Sequence, residues 1–310
     1  METPLPLVSV VLPVYNGMRF LAEAVESILN QTYTEIELIV VNDGSSDASA
    51  KFLRDHQEQD SRIRYLEHAQ NRGIAAAYNT GISACRGRFI AFHEQDDLSV
   101  PHRISWEMHY IKESGAALIS SRVGWMNEQE QIYYYWPPDL NENEIWVPSK
   151  ERYFELLIHQ TRIANATTLL DRESIHPEDL IFDEQFRRSG QDWDLHLRLI
   201  KKYSIMRLCD PLVYMRRYKD HISATTQRMN VFKDNRRLLV KHTKLNTRTL
   251  RSAAYLLHAW SNEFVLEARY YRGLKGFGLG TLALMSCPPN PNAWHSFGNA
   301  LRIPFARRPK

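Results

Sequence analysis

The sequence predicts an α/β fold built on a mainly parallel sheet flanked by helices. Short apolar runs alternate with segments of helical periodicity through the first hundred residues, and this alternation is typical of a layered α/β domain. Polar residues directly follow three of the predicted strands, at 13–16, 42–47 and 94–97. Because ligands bind at the carboxyl ends of parallel strands, the sequence also predicts a ligand site at that edge of the sheet.

Each predicted element rests on a local pattern. The run Leu7–Leu12 is apolar, rich in β-branched residues and stopped by Pro13, as expected of a buried strand. The segment 20–29 places apolar residues at helical spacing with glutamates facing outward. On similar grounds we predict strands at 37–41, 63–66, 89–92, 117–123, 132–136 (antiparallel), 165–170 and 212–218, and helices at 48–56, within 71–81, at 102–113 and at 195–201.

Charge divides the chain near residue 225. Residues 226–310 carry 15 Lys and Arg against three Asp and Glu, whereas the whole chain has a net charge of +3. We therefore expect a domain at 1–225 and a basic helical C-terminal extension at 226–310, with helices at 230–244 and 247–271. The extension is interpreted either as a cap on the first domain or as a surface that docks on an anionic membrane. A nucleic-acid role is disfavoured because the segment is apolar between its charges and shows no recognised binding motif.

The cysteines and the N-terminus bear on the compartment. Cys85, Cys209 and Cys287 are odd in number and far apart, which argues against a disulfide framework and favours a reducing compartment. The N-terminus lacks the basic segment of a signal peptide, and no apolar run is long enough to span a bilayer. We expect a cytoplasmic location, with peripheral contact to the inner face of the membrane left open.

The strongest chemical signal is the acidic end of one predicted strand. The apolar run Phe89–Phe92 is followed by Glu94, Asp96 and Asp97. Carboxylates that lie close together raise each other's pKa unless a cation sits among them, and hard oxygen ligands suit Mg²⁺ or Mn²⁺ bound with substrate phosphates. The cluster is therefore interpreted as a metal–diphosphate site, with an acidic loop that caps the next helix as the alternative.

Several segments together resemble a known enzyme family. The segments 10–16, 40–47, 71–81 and 89–97 are similar, in order and spacing, to the successive motifs of family 2 glycosyltransferases with the GT-A fold. The segment 191–199 resembles the family's "ED" motif, and 214–218 resembles its late Arg-x-His strand. The resemblance covers about residues 7 to 223 and leaves the basic extension outside it.

The resemblance implies an inverting transfer of a sugar from a nucleoside diphosphate sugar to an acceptor hydroxyl. Asp43 would accept a hydrogen bond from the imide N–H of the base; the alternative is that it caps the helix after it. Asp96 would ligate Mn²⁺ or Mg²⁺, and Asp192 would be the general base. The turn that contains Pro13, Tyr15 and Asn16 would shape the pocket for base and ribose.

Other positions match the family's pattern less closely. Glu94 stands where the family usually has Asp and is expected to reach the ribose, or the metal through water. Gln191 replaces a Glu, and Tyr218 replaces a His for which His221 is a candidate substitute. Arg216, in contrast, matches the family's late-strand Arg and could contact the diphosphate or form a surface salt bridge. Asp97 could cap the helix after Pro101, and Asp194, like Asp192, could be a helix N-terminal acid.

The substrate is bounded only in part. An Asp at position 43 fits uracil and thymine equally, so a UDP- or dTDP-sugar is favoured, and guanine is not excluded. By family analogy we expect a saccharide or lipid-linked acceptor in polysaccharide synthesis. The aromatic stretch Trp125–Trp136 and Trp193 could stack an acceptor sugar or belong to the core.

Two other classes of protein stay open. A sugar nucleotidyltransferase would be expected to carry a glycine- and arginine-rich phosphate loop, whereas the first loop here is Pro-Val-Tyr-Asn-Gly-Met. A catalytically inactive sugar-nucleotide binding protein is compatible with the departures at positions 94, 191 and 218.

Overall fold

The computed structural model describes residues 4–158, 162–186, 189–218 and 228–243. The chain divides into two compact units, one of residues 1–152 and 161–225 and the other of residues 153–160 and 226–310. The division into a catalytic domain and a basic extension remains a prediction. The predicted helix at 247–271 lies outside the described residues.

Among the described residues, the first unit contains ten strands and most of the helices. Its strands are β1 (Val8–Val14), β2 (Ile36–Asn42), β3 (Ile63–Glu67), β4 (Phe89–Phe92), β5 (Leu98–Ser99), β6 (Leu118–Met126), β7 (Ile132–Trp136), β8 (Glu144–Trp146), β9 (Leu169–Asp171) and β10 (Ile205–Arg216). Its helices are α1 (Met18–Leu29), α2 (Ser49–Gln59), α3 (Ile74–Ala84), α4 (Arg103–Ser114) and α6 (Gln191–Leu199), with 3₁₀ turns at Asn165–Thr167 and Pro177–Leu180.

The strands form one sheet in the order β3-β2-β1-β4-β9-β6-β10-β5. Strands β1 to β4 pair in parallel with one another, and β6 pairs in parallel with β10. Strand β9 is antiparallel to both of its neighbours, and β7 and β8 extend the sheet as antiparallel partners of β6 and β10. The chain runs outward from β1 to β3 and then returns to place β4 on the other side of β1, so a topological switch point lies between β1 and β4.

The core explains why these segments become strands and helices. Every residue of β1 and β2 is buried, as expected of parallel strands covered on both faces. Helix α1 covers this region with Leu21, Val25 and Ile28, each 0% exposed. Burying one such side chain contributes about 1.5–3 kcal/mol, which offsets the cost of ordering the chain here.

The predicted α/β fold is confirmed, and one predicted strand is wrong in part. Residues 165–167 form a 3₁₀ turn, and only Leu169–Asp171 pairs as a strand. The hydroxyls of Thr167 and Thr168 both donate to the carbonyl of Ala164, at 2.8 and 3.2 Å. These local bonds compete with sheet pairing and close the turn.

The second unit is described through two helical segments. Helix α5 (Lys150–Ile158) enters it after residue 152, and α7 spans Arg228–Thr243. Within this unit the hydroxyl of Tyr153 donates to the carbonyl of His242 at 3.0 Å. Among the described residues there is no helix with both the length and the apolar character needed to cross a bilayer.

Candidate active site

The loops after β1 and β2 are hydrogen-bonded to each other. Asn16 adopts a left-handed backbone conformation with φ of 49°, which Asn tolerates better than most residues. Its N–H donates to Ser45 Oγ at 3.0 Å, and its Oδ1 accepts the N–H of Ser46 at 2.8 Å. Asp47 Oδ2 accepts the N–H of Met18, the first residue of α1, at 3.1 Å. The predicted nucleotide loop is therefore fixed from both sides.

Gln95 fixes the same loop from the end of β4. Its Oε1 accepts the N–H of Tyr15 at 2.8 Å, and its Nε2 donates to the carbonyl of Tyr15 at 3.3 Å. Pro13 is buried within β1, whereas the ring of Tyr15 is 38% exposed. Gln95 was not predicted from the sequence, where it stands between two more conspicuous acids.

Asp43 lies at the carboxyl end of β2 and is 3% exposed. Its carboxylate accepts the backbone N–H groups of Arg72 and Gly73, at 2.9 and 2.8 Å. It also pairs with His68 Nδ1 at 2.6 Å. A carboxylate only accepts, so Nδ1 carries a proton, and Nε2 lies 2.9 Å from Thr80 Oγ1.

These contacts decide against one alternative for Asp43. The backbone N–H of Ser49, at the start of α2, is bonded by Asp47 Oδ1 at 2.9 Å. Asp43 therefore does not cap the helix after it and instead ties β2 to the start of α3. Its contact with a nucleobase remains a prediction.

The acids after β4 are crowded and mostly buried. Glu94 Oε1 accepts a hydrogen bond from the Tyr78 hydroxyl at 2.9 Å. Burial, and then the charge of Asp96, raises the pKa of Glu94 to about 8, and the charge of Asp192 adds to the effect. Asp96 Oδ2 accepts a hydrogen bond from the Tyr218 hydroxyl at 3.0 Å, so the residue that replaces the family's usual His is in contact with the predicted metal ligand.

Asp97 has a different role from the one predicted. Its Oδ1 accepts the backbone N–H of Arg216 at 3.1 Å, and α4 begins after His102 without a side-chain cap. The expectation that Asp97 caps this helix is therefore wrong. Its Oδ2 is buried and makes no hydrogen bond within the described part of the chain. Burial, followed by the charges of Asp96 and Glu94, raises the pKa of Asp97 well above its usual value.

The acidic cluster fits a divalent cation bound largely by substrate. Within the described ranges there is no group of three or more His, Cys, Asp or Glu side chains arranged to hold a metal ion. Mg²⁺ usually takes one or two protein carboxylates together with phosphate oxygens and water, and Asp96 supplies a carboxylate. A cation beside it would relieve the repulsion that raises the pKa values of Glu94 and Asp97.

Arg216 is buried beneath this cluster, with 2% of its surface exposed. Its Nη2 pairs with Glu23 at 2.5 Å and with Glu130 at 3.4 Å, and its Nε donates to the carbonyl of Asp96 at 3.3 Å. The guanidinium also lies 4.3 Å from the ring centroid of Phe20. A surface salt bridge does not describe this residue, and a contact with diphosphate stays a prediction. His221 lies outside the described residues.

Asp192 occupies the first turn of α6, which begins at Gln191 after Gly190. Its Oδ1 accepts the N–H of Trp193 at 2.8 Å, and burial raises the pKa of Asp192. Its charge also raises the pKa values of Glu94 and Tyr78, so the structure brings the predicted base and the acidic strand end into one site. The Oε1 of Gln191 is buried and makes no hydrogen bond within the described ranges.

Two nearby residues are structural. Asp194 is 0% exposed, and its carboxylate accepts from Arg198 Nε at 2.9 Å. Trp193 is 4% exposed and belongs to the core. In contrast, Tyr133, Tyr134 and Tyr135 of β7 are 61%, 43% and 41% exposed; a role for them in acceptor stacking stays a prediction.

A buried polar network supports the acidic loop from below. Arg103 and Glu107 are both 0% exposed and pair at 2.9 Å. Arg103 Nη2 donates to the carbonyl of Phe92 at 3.0 Å, and Nη1 lies 3.4 Å from His93 Nδ1. His93 Nε2 in turn lies 3.1 Å from the carbonyl of Asp97, so the ring links the ion pair to the loop. The sequence did not predict this network.

Asn165 is a second residue that the sequence did not single out. It is 6% exposed, its Oδ1 has no hydrogen-bond partner within the described part of the chain, and the amide interacts with the Tyr78 hydroxyl. Leaving a buried polar group unpaired costs about 1–3 kcal/mol. Asn165 opens the 3₁₀ turn beside the end of β4, close to Tyr78 and Glu94.

Several curated proteins are similar in sequence to this chain. "Uncharacterized glycosyltransferase EpsJ" of Bacillus subtilis is 30% identical over 227 residues, which are 72% of this chain and 64% of that protein. "Glycosyltransferase GlyA" of Streptococcus pneumoniae is 36% identical over 128 residues, 41% of this chain and 18% of that protein. The chain therefore spans less than two thirds of the length of these curated relatives.

Solved structures share the fold at low sequence identity. Residues 1–349 of S. aureus TarS in complex with UDP match with a TM-score of 0.64 and 15% identity, covering 95% of this chain and 88% of that one. The mannosyltransferase PcManGT from Pyrobaculum calidifontis, in complex with GDP-Man and Mn²⁺, matches with a TM-score of 0.57 and 16% identity, covering 96% and 86%.

The family assignment follows from the matched region. Residues 9–176 match the family described as "Glycosyl transferase family 2", and this region holds the loops after β1, β2 and β4 described above. The chain belongs to glycosyl transferase family 2 and has the GT-A fold.

Proposed function

We propose that the chain is a metal-dependent, inverting glycosyltransferase that moves a sugar from a nucleoside diphosphate sugar to an acceptor hydroxyl. One observation carries the proposal. Asp192, at the start of α6, is one cause of the raised pKa of Glu94, after burial and Asp96, and Glu94 stands two residues before Asp96 at the end of β4. This supports placing the proposed general base beside the proposed diphosphate site, at the edge where α/β sheets bind ligands.

Asp192 has the properties that a general base needs. Burial raises the pKa of its carboxyl group, so its carboxylate holds a proton more strongly than an exposed one would. As the acceptor oxygen attacks the anomeric carbon, Asp192 takes the hydroxyl proton. The bond between that carbon and the diphosphate breaks, the nucleoside diphosphate leaves with the bonding electrons, and the anomeric configuration inverts.

Asp96 is proposed to hold Mn²⁺ or Mg²⁺. When bound, the cation neutralises charge on the leaving diphosphate. Tyr218 orients the Asp96 carboxylate through its hydroxyl, and Arg216 holds the backbone of the same loop through the Asp96 carbonyl. Direct contact of Arg216 with diphosphate is part of the proposal.

The loops after β1 and β2 are proposed to bind the nucleoside. Asp43 uses remaining acceptor capacity for the imide of uracil or thymine, and Tyr15 and Asn16 border base and ribose. The named ligands of the structural neighbours, UDP and UDP-GlcNAc for TarS and GDP-Man for PcManGT, support a nucleotide-sugar donor. The acceptor is proposed to be a saccharide or lipid-linked saccharide in polysaccharide synthesis, with the basic segment 226–310 placed at a membrane surface.

A turnover assay tests the proposal. The protein is incubated with Mn²⁺, a panel of UDP-, dTDP- and GDP-sugars and saccharide acceptors, and release of nucleoside diphosphate is measured. Asp192→Asn is expected to lower kcat by about 10²–10⁴-fold, while Asp55→Asn, which alters a half-buried acid of α2 that pairs with Lys51, is the control. Unchanged turnover in Asp192→Asn would sink the base assignment.

The same assay separates the other classes. An inactive binding protein would be stabilised by a nucleotide sugar without turning it over. A nucleotidyltransferase would instead release pyrophosphate from a nucleoside triphosphate and a sugar 1-phosphate.

A further inference from the structure

The amide of Asn165 is a buried polar group whose hydrogen-bonding capacity the described residues leave largely unused. It is 6% exposed, and its oxygen lacks a hydrogen-bond partner within the described ranges, while the amide interacts with the Tyr78 hydroxyl. Buried side-chain amides in folded proteins nearly always have a partner. In a family whose substrates are sugars, a bound substrate could supply the missing hydrogen-bond partner.

The backbone that carries Asn165 is fixed, so the amide is held in place. Four bonds close the turn: the N–H and hydroxyl of Thr167 and the hydroxyl of Thr168 donate to the Ala164 carbonyl, and the Thr168 N–H donates to the Asn165 carbonyl. The Phe92 N–H donates to the Thr168 carbonyl at 2.9 Å. This last bond attaches the turn to the end of β4, immediately before the acidic loop.

The neighbours of the amide place it within the catalytic site. Tyr78 is 0% exposed and donates its hydroxyl to Glu94 Oε1 at 2.9 Å, while its ring stacks on that of Phe182 at 4.8 Å. The Asn165 amide hydrogen-bonds this hydroxyl and lowers the pKa of Tyr78, against the larger effects of burial and Glu94. Asn165, Tyr78 and Glu94 are therefore contiguous.

The position of this group relative to Asp96 and Asp192 identifies what it would contact. Asp96 is assigned to the diphosphate side and Asp192 to the acceptor side. Glu94, which accepts the Tyr78 hydroxyl at 2.9 Å, precedes Asp96 by two residues at the end of β4. The sugar that is transferred must lie between these two sides. We propose that Asn165 hydrogen-bonds a hydroxyl group of this donor sugar and thereby takes part in donor selection.

The chemistry of the amide fits a hydroxyl group in particular. A primary amide offers both an acceptor oxygen and donor hydrogens, and a hydroxyl both donates and accepts. A phosphate oxygen would satisfy only the nitrogen, and an ammonium group only the oxygen. The inference rests on the proposed function, because it requires that a nucleotide sugar is the donor.

The test compares a nucleotide sugar with its own nucleotide. Calorimetric Kd values in Mn²⁺ are measured for whichever of UDP-Glc, UDP-Gal, UDP-GlcNAc and GDP-Man the wild type binds most tightly, and for the matching UDP or GDP. Asn165→Ala is expected to raise the Kd for the nucleotide sugar about tenfold. The Kd for the free nucleoside diphosphate is expected to change less than twofold. Equal losses for both ligands, or no loss for either, would overturn the proposal.

A near-isosteric apolar variant separates binding from structure. Asn165→Leu replaces a buried amide whose oxygen lacks a partner, and replacing an under-satisfied buried polar group by an apolar one of similar shape can be neutral or stabilising. We expect an unchanged or higher Tm without ligand together with the same selective loss of nucleotide-sugar affinity. A lower Tm with unchanged sugar affinity would show a structural role instead. If the Asn165→Leu variant does not fold, Asn165→Ser provides the same binding comparison.

The control variant changes a different asparagine, Asn143. Asn143→Ala removes an amide whose Oδ1 accepts the Cys209 N–H at 2.9 Å, and it is expected to leave the difference between sugar and nucleotide intact. If Asn165→Ala raised only the KM for an acceptor, the donor assignment would be wrong. If the wild type bound UDP or GDP but no nucleotide sugar, the proposed function itself would fail, a result distinct from a wild type that binds the sugar and a variant that binds it equally well.

Discussion

The buried ion pair beneath the acidic loop gives a prediction whose size follows from the structure. Arg103 and Glu107 are both 0% exposed, and the guanidinium also donates to the Phe92 carbonyl and to Ser99 Oγ, each at 3.0 Å. Arg103→Met keeps an unbranched side chain of similar reach and removes the charge. Removing one partner of a buried pair costs about 3–5 kcal/mol.

The cost should depend on pH because Glu107 titrates. Burial raises the pKa of Glu107 from 4.5 to about 7, although Arg103 acts in the opposite direction. An acid whose pKa is raised in the folded state contributes its full stabilisation below pH 4.5, and this contribution is lost as the pH rises through the folded-state pKa. The free energy of unfolding therefore falls in parallel for wild type and Arg103→Met from pH 4.5 to about 7. Above that, only the variant, whose Glu107 pKa is higher still, keeps losing about 1.4 kcal/mol per pH unit.

His93 does not confuse this comparison. Burial, and then the charge of Arg103, lowers the pKa of His93 to about 3. Burial is the larger cause and persists in Arg103→Met, so the ring is expected to stay neutral in both folded proteins at pH 6 and above, and its titration in the unfolded chains is the same for both. Unfolding by guanidinium chloride, followed by tryptophan fluorescence at pH 6 and pH 8.5, measures the effect. The control is the double variant Arg103→Met/Glu107→Met, which removes the buried acid as well. It is expected to recover much of the stability lost in Arg103→Met and to abolish the extra loss between pH 6 and pH 8.5. An equal loss at both pH values, or a double variant no more stable than the single one, would refute this reasoning.

Three further predictions concern the site. The kcat/KM for transfer should rise with pH through an apparent pKa above 3.8, the ordinary value for Asp, because burial raises the pKa of Asp192 and only the carboxylate accepts a proton; a pH–rate profile that is unchanged in Asp192→Asn would contradict this. Gln95→Ala should weaken UDP binding about tenfold by calorimetry, since two hydrogen bonds to Tyr15 are lost, whereas Gln57→Ala, which removes an acceptor for the Tyr65 N–H, should not. His68→Phe should raise the Kd for UDP because Asp43 loses its side-chain donor, and Thr80→Val should act in the same direction but less; equal affinity in all three proteins would show that Asp43 needs no such support.

The sequence predicted the parts of this molecule that depend on local pattern. Buried strands, amphipathic helices and the polar ends of strands are all visible in short segments, and the order of those segments indicated the family. The expectation that Asp192 lies near a helix start is likewise confirmed. The predicted site residues themselves stay predictions, apart from those whose structural roles are now described.

What the sequence did not predict depends on contacts between distant segments. Gln95 meets Tyr15 across 80 positions, and nothing in either local sequence indicates the pair. The capping role predicted for Asp97 failed because the backbone of β10 claims its carboxylate. The strand predicted at 165–170 ends early because two threonine hydroxyls favour a turn, which is a competition that apolar periodicity does not show.

The cross-links between the loops after β1 and β2 have a consequence for binding thermodynamics. Asn16, Ser45, Ser46 and Asp47 are already held in place by hydrogen bonds within the protein. A nucleotide that binds there needs to order little of the chain, and the entropic penalty of binding should be correspondingly small. Amide hydrogen exchange at residues 15–18 and 45–49 should therefore be slow before the ligand arrives and change little afterwards.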